Sequence, residues 1–401
     1  MLLRHLPLAV VFLLFATRTF AAEPLLERID VFEAGTNGVS LYRIPGVVVT
    51  AKGTVLAYCE ARKSGGADWG EIEVHLRRSS DGGETWDAPR QIAHLGERMP
   101  GNPHKAVGGE NEQTVNNPVA IVDRQTGAVH FLYCINYARC FYMRSDDDGA
   151  TFSAPVEITA VFDKFRPECD WRCIATGPGH GIQLTNGRLL VPVWLAYGKV
   201  GQHSPSVTAT VFSDDHGKTW QRGDIALPNT PETMNPNETA AVQLADGRVM
   251  LNARSVSKAS RRLVTTSKDG ATGWSAPRFD AALFEPICMG SIVRLSAKPT
   301  SARNRLIFSN PHSLKLDADG KEIPGGRGDR KNVSLKLSYD EGETWPVNKT
   351  LEEGASAYSD LTTLGDGTIL CFYERGKKLT IARANLEWLT DGHDSFPPAK
   401  P

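Results

Sequence analysis

Three arginines stand next to strand-like segments that are far apart in the chain. They are Arg43 in Tyr-Arg-Ile-Pro, Arg254 in Leu-Asn-Ala-Arg-Ser and Arg330 in Asp-Arg-Lys-Asn. A guanidinium offers a planar fork of hydrogen-bond donors and stays charged, which suits it to binding a carboxylate. Any one of the three is ordinarily a surface arginine. If the fold brings all three to one axis, they form a clamp for a single carboxylate.

The elements that would bring these arginines together are marked by a repeat of the form Ser-x-Asp-x-Gly-x-Thr-Trp. Copies begin at Ser79, Ser145, Ser213 and Ser338, and a degenerate copy begins at Ser267. Serine and aspartate oxygens cap turn amides, glycine permits a positive φ, and the aromatic residue returns to the core. Strand-like residues precede the copies. We therefore predict a hairpin turn at each copy.

The spacing of the copies sets the number of structural units. Their first residues are 66, 68, 54 and 71 positions apart, which indicates one unit repeated at a nearly fixed period. The other segments are short and β-rich, and Gly, Pro, Asn and Asp separate them. A period of about 65 in about 380 residues gives close to six units. We predict an all-β fold, a single six-bladed β-propeller domain that spans residues 22–401.

Composition narrows the classes of function. The chain has 401 residues, 41% of them hydrophobic, and a formal net charge of -1, so no excess of positive charge points to a nucleic-acid partner. Residues 1–21 combine Arg4 and His5, an apolar run and small residues at the end. This pattern predicts a signal peptide and a secreted or periplasmic protein, with a buried N-terminal helix as the alternative. No later segment is apolar over the length that spans a bilayer.

The cysteines allow two interpretations. Seven are present, and Cys134 with Cys140 and Cys169 with Cys173 are close enough in sequence to be candidate disulfides. Such pairing would leave at least one free thiol. A zinc site is the weaker interpretation, because no paired Cys-x-x-Cys spacing occurs.

Several segments between the repeats together resemble the exo-α-sialidase (neuraminidase) family, in its bacterial and animal branch. They are the Arg-Ile-Pro segment, the repeats themselves (Asp boxes), residues 177–184, residues 237–239 and residues 358–361. The resemblance covers essentially all of the chain after residue 21. An Asp box alone is unspecific because many other propellers carry it, whereas the ordered set is specific. The resemblance implies a propeller of the sialidase type.

The resemblance also implies how a sialic acid would be held. Arg43, Arg254 and Arg330 would grip its carboxylate, and Glu374 would hold the first of these arginines in place. Arg62 matches a fourth arginine, which contacts substituents of the sugar ring.

Two more positions are assigned from the same resemblance. Asn117 lies where many family members carry an aspartate near the substrate. Trp171, in a loop between Cys169 and Cys173, is a candidate to pack against the acyl group of the sugar; a structural role for this tryptophan is the alternative.

Three residues match the catalytic positions of the family: Tyr358 as nucleophile, Glu238 as its base, and Asp68 as acid/base. The anomeric carbon of a sialoside already bears a carboxylate, so a neutral phenol approaches it without the repulsion an anion would meet. Sialidases with a tyrosine nucleophile are a known exception to the two-carboxylate scheme of glycosidases. A phenol with a pKa near 10 needs an adjacent base. The outcome would be retention of configuration.

The resulting prediction is a glycoside hydrolase, an exo-α-sialidase that acts on sialylated glycoproteins, glycolipids or oligosaccharides as a monomer, with no cofactor and no metal. A trans-sialidase is the alternative among enzymes, because it would use the same catalytic residues. A non-catalytic Asp-box propeller that binds glycans or proteins is the alternative outside enzymes. The latter predicts the loss of Asp68, Glu238 or Tyr358, and all three are present.

Overall fold

A computed structural model describes residues 22–94, 98, 109, 111–319, 321–323 and 328–396. The predicted signal peptide lies outside the described residues. Among those residues, no helix has the length and apolar character needed to cross a membrane. The structure is almost entirely β, with two short helices, α1 (Thr159–Asp163) and α2 (Leu386–Leu389).

The strands are short and follow one another closely. In chain order they are β1 (Leu26–Glu33), β2 (Leu41–Val49), β3 (Val55–Arg62), β4 (Ile72–Ser79), β5 (Arg90–Gln91), β6 (Val115–Val122), β7 (Val129–Ile135), β8 (Arg139–Ser145), β9 (Val156–Glu157), β10 (Cys173–Thr176), β11 (Gly179–His180), β12 (Ile182–Gln183), β13 (Leu189–Ala196), β14 (Ser206–Ser213), β15 (Gln221–Leu227), β16 (Thr239–Gln243), β17 (Val249–Ala253), β18 (Arg261–Ser267), β19 (Arg278–Phe284), β20 (Ser291–Ser296), β21 (Arg305–Pro311), β22 (Lys315–Leu316), β23 (Glu322–Ile323), β24 (Lys331–Ser338), β25 (Val347–Thr363), β26 (Ile369–Arg375) and β27 (Lys378–Ala384).

Antiparallel pairing arranges most of these strands in sheets that follow chain order. Two sheets have four strands, β2-β3-β4-β5 and β16-β17-β18-β19. Two have five: β6 to β9 with β11 beside β6, and β13 to β15 with β10 and β12 beside β13. The first strands of neighbouring units contact one another, β2 with β6 and β16 with β20, so they line a common axis. The propeller class predicted from the repeats is confirmed.

Six separate blades are not observed. The remaining large sheet has seven strands in the order β1-β27-β26-β25-β24-β21-β20, and its centre is the 17-residue strand β25. Residues 347–355 of β25 pair with β24, and residues 356–363 pair with β26. This continuous strand joins two units that the repeat arithmetic counts as separate blades. The same sheet closes the ring, because β1 at the start of the described chain pairs with β27 near its end.

The Asp boxes form the predicted hairpin turns, each between the third and fourth strand of a unit. In the first copy, the Ser79 hydroxyl donates to Asp81 at 2.7 Å and accepts from the Gly83 amide at 2.8 Å. Asp81 also accepts from the amide and the hydroxyl of Thr85. Gly83 has a φ of 92°, which explains why glycine is required at this position. The turn chemistry predicted from the sequence is confirmed.

The core lies between neighbouring sheets. Strands β3, β6, β7, β13 and β14 are buried at every residue, because each is covered on both faces. One such cluster packs Tyr58 against Phe131, with ring centroids 5.1 Å apart. Burial of apolar surface between sheets stabilises the ring by about 25 cal/mol per Å².

The cysteines contribute to this core as thiols. All seven are buried and free, so the predicted disulfides are absent. Cys134 and Cys140 face each other across β7 and β8 without a bond. Buried free cysteines pack as small apolar side chains.

Candidate active site

A small pocket opens where the innermost strands begin. Its lining comes from several sheets and is mostly polar: Arg43, Ile44, Asp68, Asn117, Tyr137, Trp194, His203, Asn237, Glu238, Arg254, Arg330 and Tyr358. Its volume of about 110 Å³ is smaller than the roughly 520 Å³ of an axial cavity at the opposite ends of the inner strands. Chemistry, not size, therefore identifies the candidate site. Seven of the nine site residues predicted from the sequence line it, and Arg62 and Glu374 contact them from behind.

Irregularities in three inner strands aim side chains at this pocket. The β2–β3 register shifts after Arg43, the β6–β7 register shifts around Asn117, and the β25–β26 register shifts around Tyr358. A β-bulge re-aims a side chain and often lies beside an active site. Pro45 and Pro118 follow two of these positions, and proline inside a strand favours a bulge.

Tyr358 lies at the centre of a compact hydrogen-bonded group. Its hydroxyl donates to Oε1 of Glu238 at 2.5 Å and accepts from Nη1 of Arg254 at 2.8 Å. Arg254 also donates to Oε2 of Glu238. Glu238 directly precedes β16 and Arg254 directly follows β17, so antiparallel pairing of these strands sets the two side chains next to each other. The arrangement gives the phenol an acceptor for its proton.

The electrostatics keep Tyr358 protonated. Burial raises the pKa of Tyr358 well above its ordinary value, and the carboxylate of Glu238 raises it further. The positive charges of Arg254, Arg330 and Arg43 oppose this rise in the pKa. The guanidinium carbons of Arg330 and Arg43 each lie 5.1 Å from the centre of the tyrosine ring. The phenol is therefore neutral and hydrogen-bonded to a base, which is the state that a neutral nucleophile requires.

The three clamp arginines meet at this tyrosine, as the sequence predicts. Arg43 is held from behind by Glu374, which accepts from its Nε at 3.0 Å and its Nη2 at 3.2 Å. Arg330 donates through Nη2 to the carbonyl of Ile287 at 2.7 Å. The Nε atoms of Arg254 and Arg330 are buried and have no hydrogen-bond partner among the described residues. Together with Arg43, these two residues place three guanidinium charges around one small pocket, which favours an anion there.

Asp68 lies in the loop after β3, with its side chain about half exposed (47%). Its Oδ1 is 3.0 Å from Nη1 of Arg62 and 3.8 Å from Nη1 of Arg43. Burial would raise the pKa of Asp68, but the charges of Arg62, His203 and Arg43 together lower it below its ordinary value. Asp68 is therefore ionised at neutral pH.

Arg62 shapes the loop that carries Asp68. It is almost fully buried, pairs with Glu60 at 2.7 Å, and donates to the carbonyls of Gly66 at 2.6 Å and Ala67 at 3.0 Å. Glu60 in turn accepts from the backbone amide of Asn117 at 2.9 Å. Glu60 thus connects Arg62 to the next inner strand, β6. Arg62 does not itself line the pocket.

Trp171 is not part of the pocket, so its predicted packing against an acyl group is wrong. Its indole Nε1 donates to the carbonyl of Phe162 in α1 at 2.9 Å, and the guanidinium carbon of Arg166 lies 3.9 Å from its ring centre. It belongs to the hydrophobic core around α1. The alternative, a structural loop tryptophan, is the observed role.

Sequence reasoning missed an aromatic wall on the side of Asp68. It consists of Trp69, Tyr137, Trp194 and His203, whose ring centroids lie 4.5 to 6.0 Å apart in five pairs. Trp69 could have been found, because it directly follows Asp68. The other three lie in different strands and loops with no motif around them. Within the described ranges, no group of three or more His, Cys, Asp or Glu residues is arranged to hold a metal.

Comparison with known proteins agrees with the fold. A model of the BNR repeat-like domain family matches residues 101–371. The chain is 31% identical to a sialidase of Micromonospora viridifaciens, over 92% of this chain and 55% of that protein. It is 30% identical to a sialidase of Bacteroides fragilis, over 86% of this chain and 62% of that protein. A solved structure of a Hadza microbial sialidase matches with a TM-score of 0.73 at 26% identity, over 90% of this chain and 69% of that one.

These findings define the chain as an Asp-box β-propeller with a small polar pocket that three arginines line. The chain belongs to the sialidase family, through its BNR repeat-like domain. It spans little more than half the length of the first two relatives.

Proposed function

We propose that this protein is an exo-α-sialidase, a retaining glycoside hydrolase that removes terminal α-linked sialic acids from glycoconjugates. The observation that carries the proposal is the group formed by Tyr358, Glu238 and Arg254, in a pocket that Arg43 and Arg330 also line. A sialic acid would supply a carboxylate for these three guanidinium groups. Its anomeric carbon, which bears that carboxylate, would then lie next to the phenol.

The first chemical step forms a bond between Tyr358 Oη and the anomeric carbon and breaks the bond to the leaving oxygen. The phenol proton passes to Glu238, which already accepts its hydrogen bond. Asp68 gives a proton to the leaving oxygen. In the second step water attacks the anomeric carbon, Asp68 takes a proton from that water, and Glu238 returns the proton to the departing phenol. Two displacements at one carbon give retention.

Asp68 must be protonated for the first step, whereas its pKa is lowered in the pocket. A bound substrate offers a physical remedy. Its carboxylate would share Arg43, which lies 3.8 Å from Asp68, and its negative charge would oppose ionisation of Asp68. Both effects raise the pKa of this carboxyl towards the range in which it acts as an acid.

The test is the release of 4-methylumbelliferone from its α-sialoside. Wild type should turn over, and Tyr358→Phe should lose roughly 1000-fold in kcat/KM, because the ring stays and only the nucleophilic oxygen is removed. Tyr133→Phe is a matched control, since this buried tyrosine lies in β7 outside the pocket. Binding of sialic acid by folded wild type without turnover would mean a non-catalytic glycan-binding propeller.

Product analysis with sialyllactose separates hydrolysis from transfer. Free sialic acid in an amount equal to the lactose released is the expected result. Release of lactose with the sugar recovered on an added acceptor, or as an internal anhydride, would instead identify a trans-sialidase.

A further inference from the structure

The loop between β13 and β14, residues 197–205, delivers a histidine that the mechanism above does not use. The Tyr197 amide donates to the carbonyl of Pro205 at 2.9 Å, which closes the loop at its base. Gly198 lies so close to the Ser204 carbonyl that a Cβ there would be 2.2 Å from its oxygen. The Tyr197 hydroxyl also accepts from Asn229 at 3.0 Å, beyond β15. These contacts fix the loop and turn His203 into the pocket.

His203 is enclosed by aromatic rings. Its centroid lies 4.6 Å from that of Tyr137, 5.3 Å from that of Trp194 and 5.8 Å from that of Trp69. Its Nε2 is buried and has no hydrogen-bond partner among the described residues. Trp69, which directly follows Asp68 in the chain, is one of these rings, and His203 and Asp68 line the same small pocket. The fold therefore holds the imidazole and the Asp68 carboxylate close together.

Charged groups from several elements line the pocket together with His203: Asp68 after β3, Glu238 before β16, Arg254 after β17, and Arg43 and Arg330. Arg62, at the end of β3, lies behind them. Burial lowers the pKa of His203, while Asp68 and then Glu238 oppose that shift, and Arg254 and Arg62 add to it. The influence is mutual, because His203 is second only to Arg62 among the charges that lower the pKa of Asp68.

We infer that His203 is a positioning residue that acts through Asp68: its protonation state sets the pH at which this carboxyl can hold a proton. As an imidazolium, His203 stabilises the Asp68 carboxylate; as a neutral imidazole, it allows Asp68 to be protonated at less cost. That Asp68 acts as the acid/base rests on the proposed function. The interaction between the two side chains does not, and it is measurable by itself.

The first experiment measures that interaction without turnover. The His203 Cε1 proton is titrated by NMR in wild type and in Asp68→Asn. Loss of the carboxylate should lower the pKa of His203 by about one pH unit, since an opposite charge nearby favours the protonated ring. An identical His203 titration in both proteins would overturn the inference, whatever the activity of the chain.

The second experiment measures the consequence for the reaction. In His203→Phe the imidazolium is absent, so the alkaline limb of the kcat/KM profile, which reports loss of the Asp68 proton, should move up by about 0.5 to 1 pH unit. His312→Phe is the control, because this half-buried histidine packs on Phe284 outside the pocket. His203→Gln repeats the test with a polar side chain, in case the phenylalanine variant folds poorly.

The outcomes separate the two proposals. If wild type does not turn over but His203 responds to Asp68→Asn, the proposed function fails and the interaction stands. In the opposite case, wild type turns over, but the alkaline limb of the kcat/KM profile lies at the same pH in both His203 variants as in His312→Phe. The inference about His203 then fails and the proposed function stands.

Discussion

The outer Asp-box turns and the inner pocket contain similar polar side chains but differ in how the charges of these side chains are balanced. In the turn that begins at Ser145, the serine hydroxyl donates to Asp147 at 2.8 Å and accepts from the Gly149 amide at 2.9 Å. Asp147 also accepts from the amide and the hydroxyl of Thr151, at 2.8 and 2.6 Å. Here a carboxylate is paired with donors from its own turn.

The pocket instead gathers charges of one sign. The guanidinium groups of Arg43, Arg254 and Arg330 all line it around Tyr358. A protein holds like charges together at a cost in stability, and an anionic ligand recovers part of that cost as binding free energy. We expect this contrast to separate residues that hold the propeller together from residues proposed to act on a substrate, although both occur on the same strands and loops.

The largest effect on activity is expected at Glu238, the proposed base. Glu238→Gln keeps the shape of the side chain but cannot accept the phenol proton as a carboxylate does. We expect kcat to fall by roughly 1000-fold or more, while the melting temperature stays close to that of wild type. The measurement is release of 4-methylumbelliferone together with thermal unfolding followed by circular dichroism.

Glu341→Gln is the matched control, because Glu341 pairs with Arg294 outside the pocket. Near-normal kcat in Glu238→Gln would remove this residue from the mechanism.

A smaller effect is expected at the clamp. Arg330→Ala removes a charged donor that faces the pocket, and hydrogen bonds to charged groups contribute about 1.5 to 3 kcal/mol. We therefore expect binding of a carboxylate-bearing sialic acid analogue to weaken by roughly 10- to 100-fold. The comparison is isothermal titration calorimetry with the acid and with its methyl ester. An equal loss for both ligands would contradict a role in carboxylate recognition.

How far the sequence predicts this site depends on where each residue lies. Arg43, Glu238 and Tyr358 stand in motifs that the family resemblance covers, so their convergence could be predicted. His203 could not, because it lies in a loop without a motif and reaches the pocket only through the geometry of that loop. For Trp171 the sequence left a role at the acyl group and a structural role open, because nothing in its sequence context shows that its indole donates to α1.

The fold shows the same division. The Asp boxes mark turns, so the repeat predicts hairpins and a propeller. It does not reveal that β25 runs unbroken through Gly354, which has a φ of 78°. Because glycine is also typical of turns, the sequence does not show that this strand continues. Counting turns cannot show which strands are continuous, and the number of separate sheets was overestimated for that reason.

A buried lysine outside the pocket, Lys336, extends the comparison to a charge that no substrate contacts. Lys336 in β24 is fully buried and donates to Asn310 at 2.8 Å; burial and, to a smaller extent, the charge of Arg262 lower its pKa to about 7. Lys336→Met should raise stability by about 1 to 3 kcal/mol at neutral pH and leave kcat unchanged, since no substrate benefits from this charge.

The sign of the pH dependence follows from the lowered pKa of Lys336. Its folded value lies below the ordinary 10.5, so protonation favours the unfolded chain. The cost of Lys336 is absent above pH 10.5, grows as the pH falls to about 7, and is constant below that. Urea unfolding of both proteins at pH 7 and pH 10 measures it. An advantage of the methionine variant that did not shrink at pH 10 would contradict this account.

The smallest effect is expected in an Asp-box turn, at Asp147. Hydrogen bonds from Thr151, and then Ser145, lower the pKa of Asp147 to about 2. A carboxyl whose folded pKa is depressed stabilises the fold above its ordinary value of 3.8, and this contribution is lost as the pH falls towards 2. Asp147→Asn should therefore lower the melting temperature slightly at pH 6 and hardly at all at pH 2. Asp146→Asn, on the exposed side of the same turn, is the control. Loss of kcat in Asp147→Asn at 25 °C, with the fold intact, would show that the outer turns and the pocket are not as separate as their hydrogen bonding indicates.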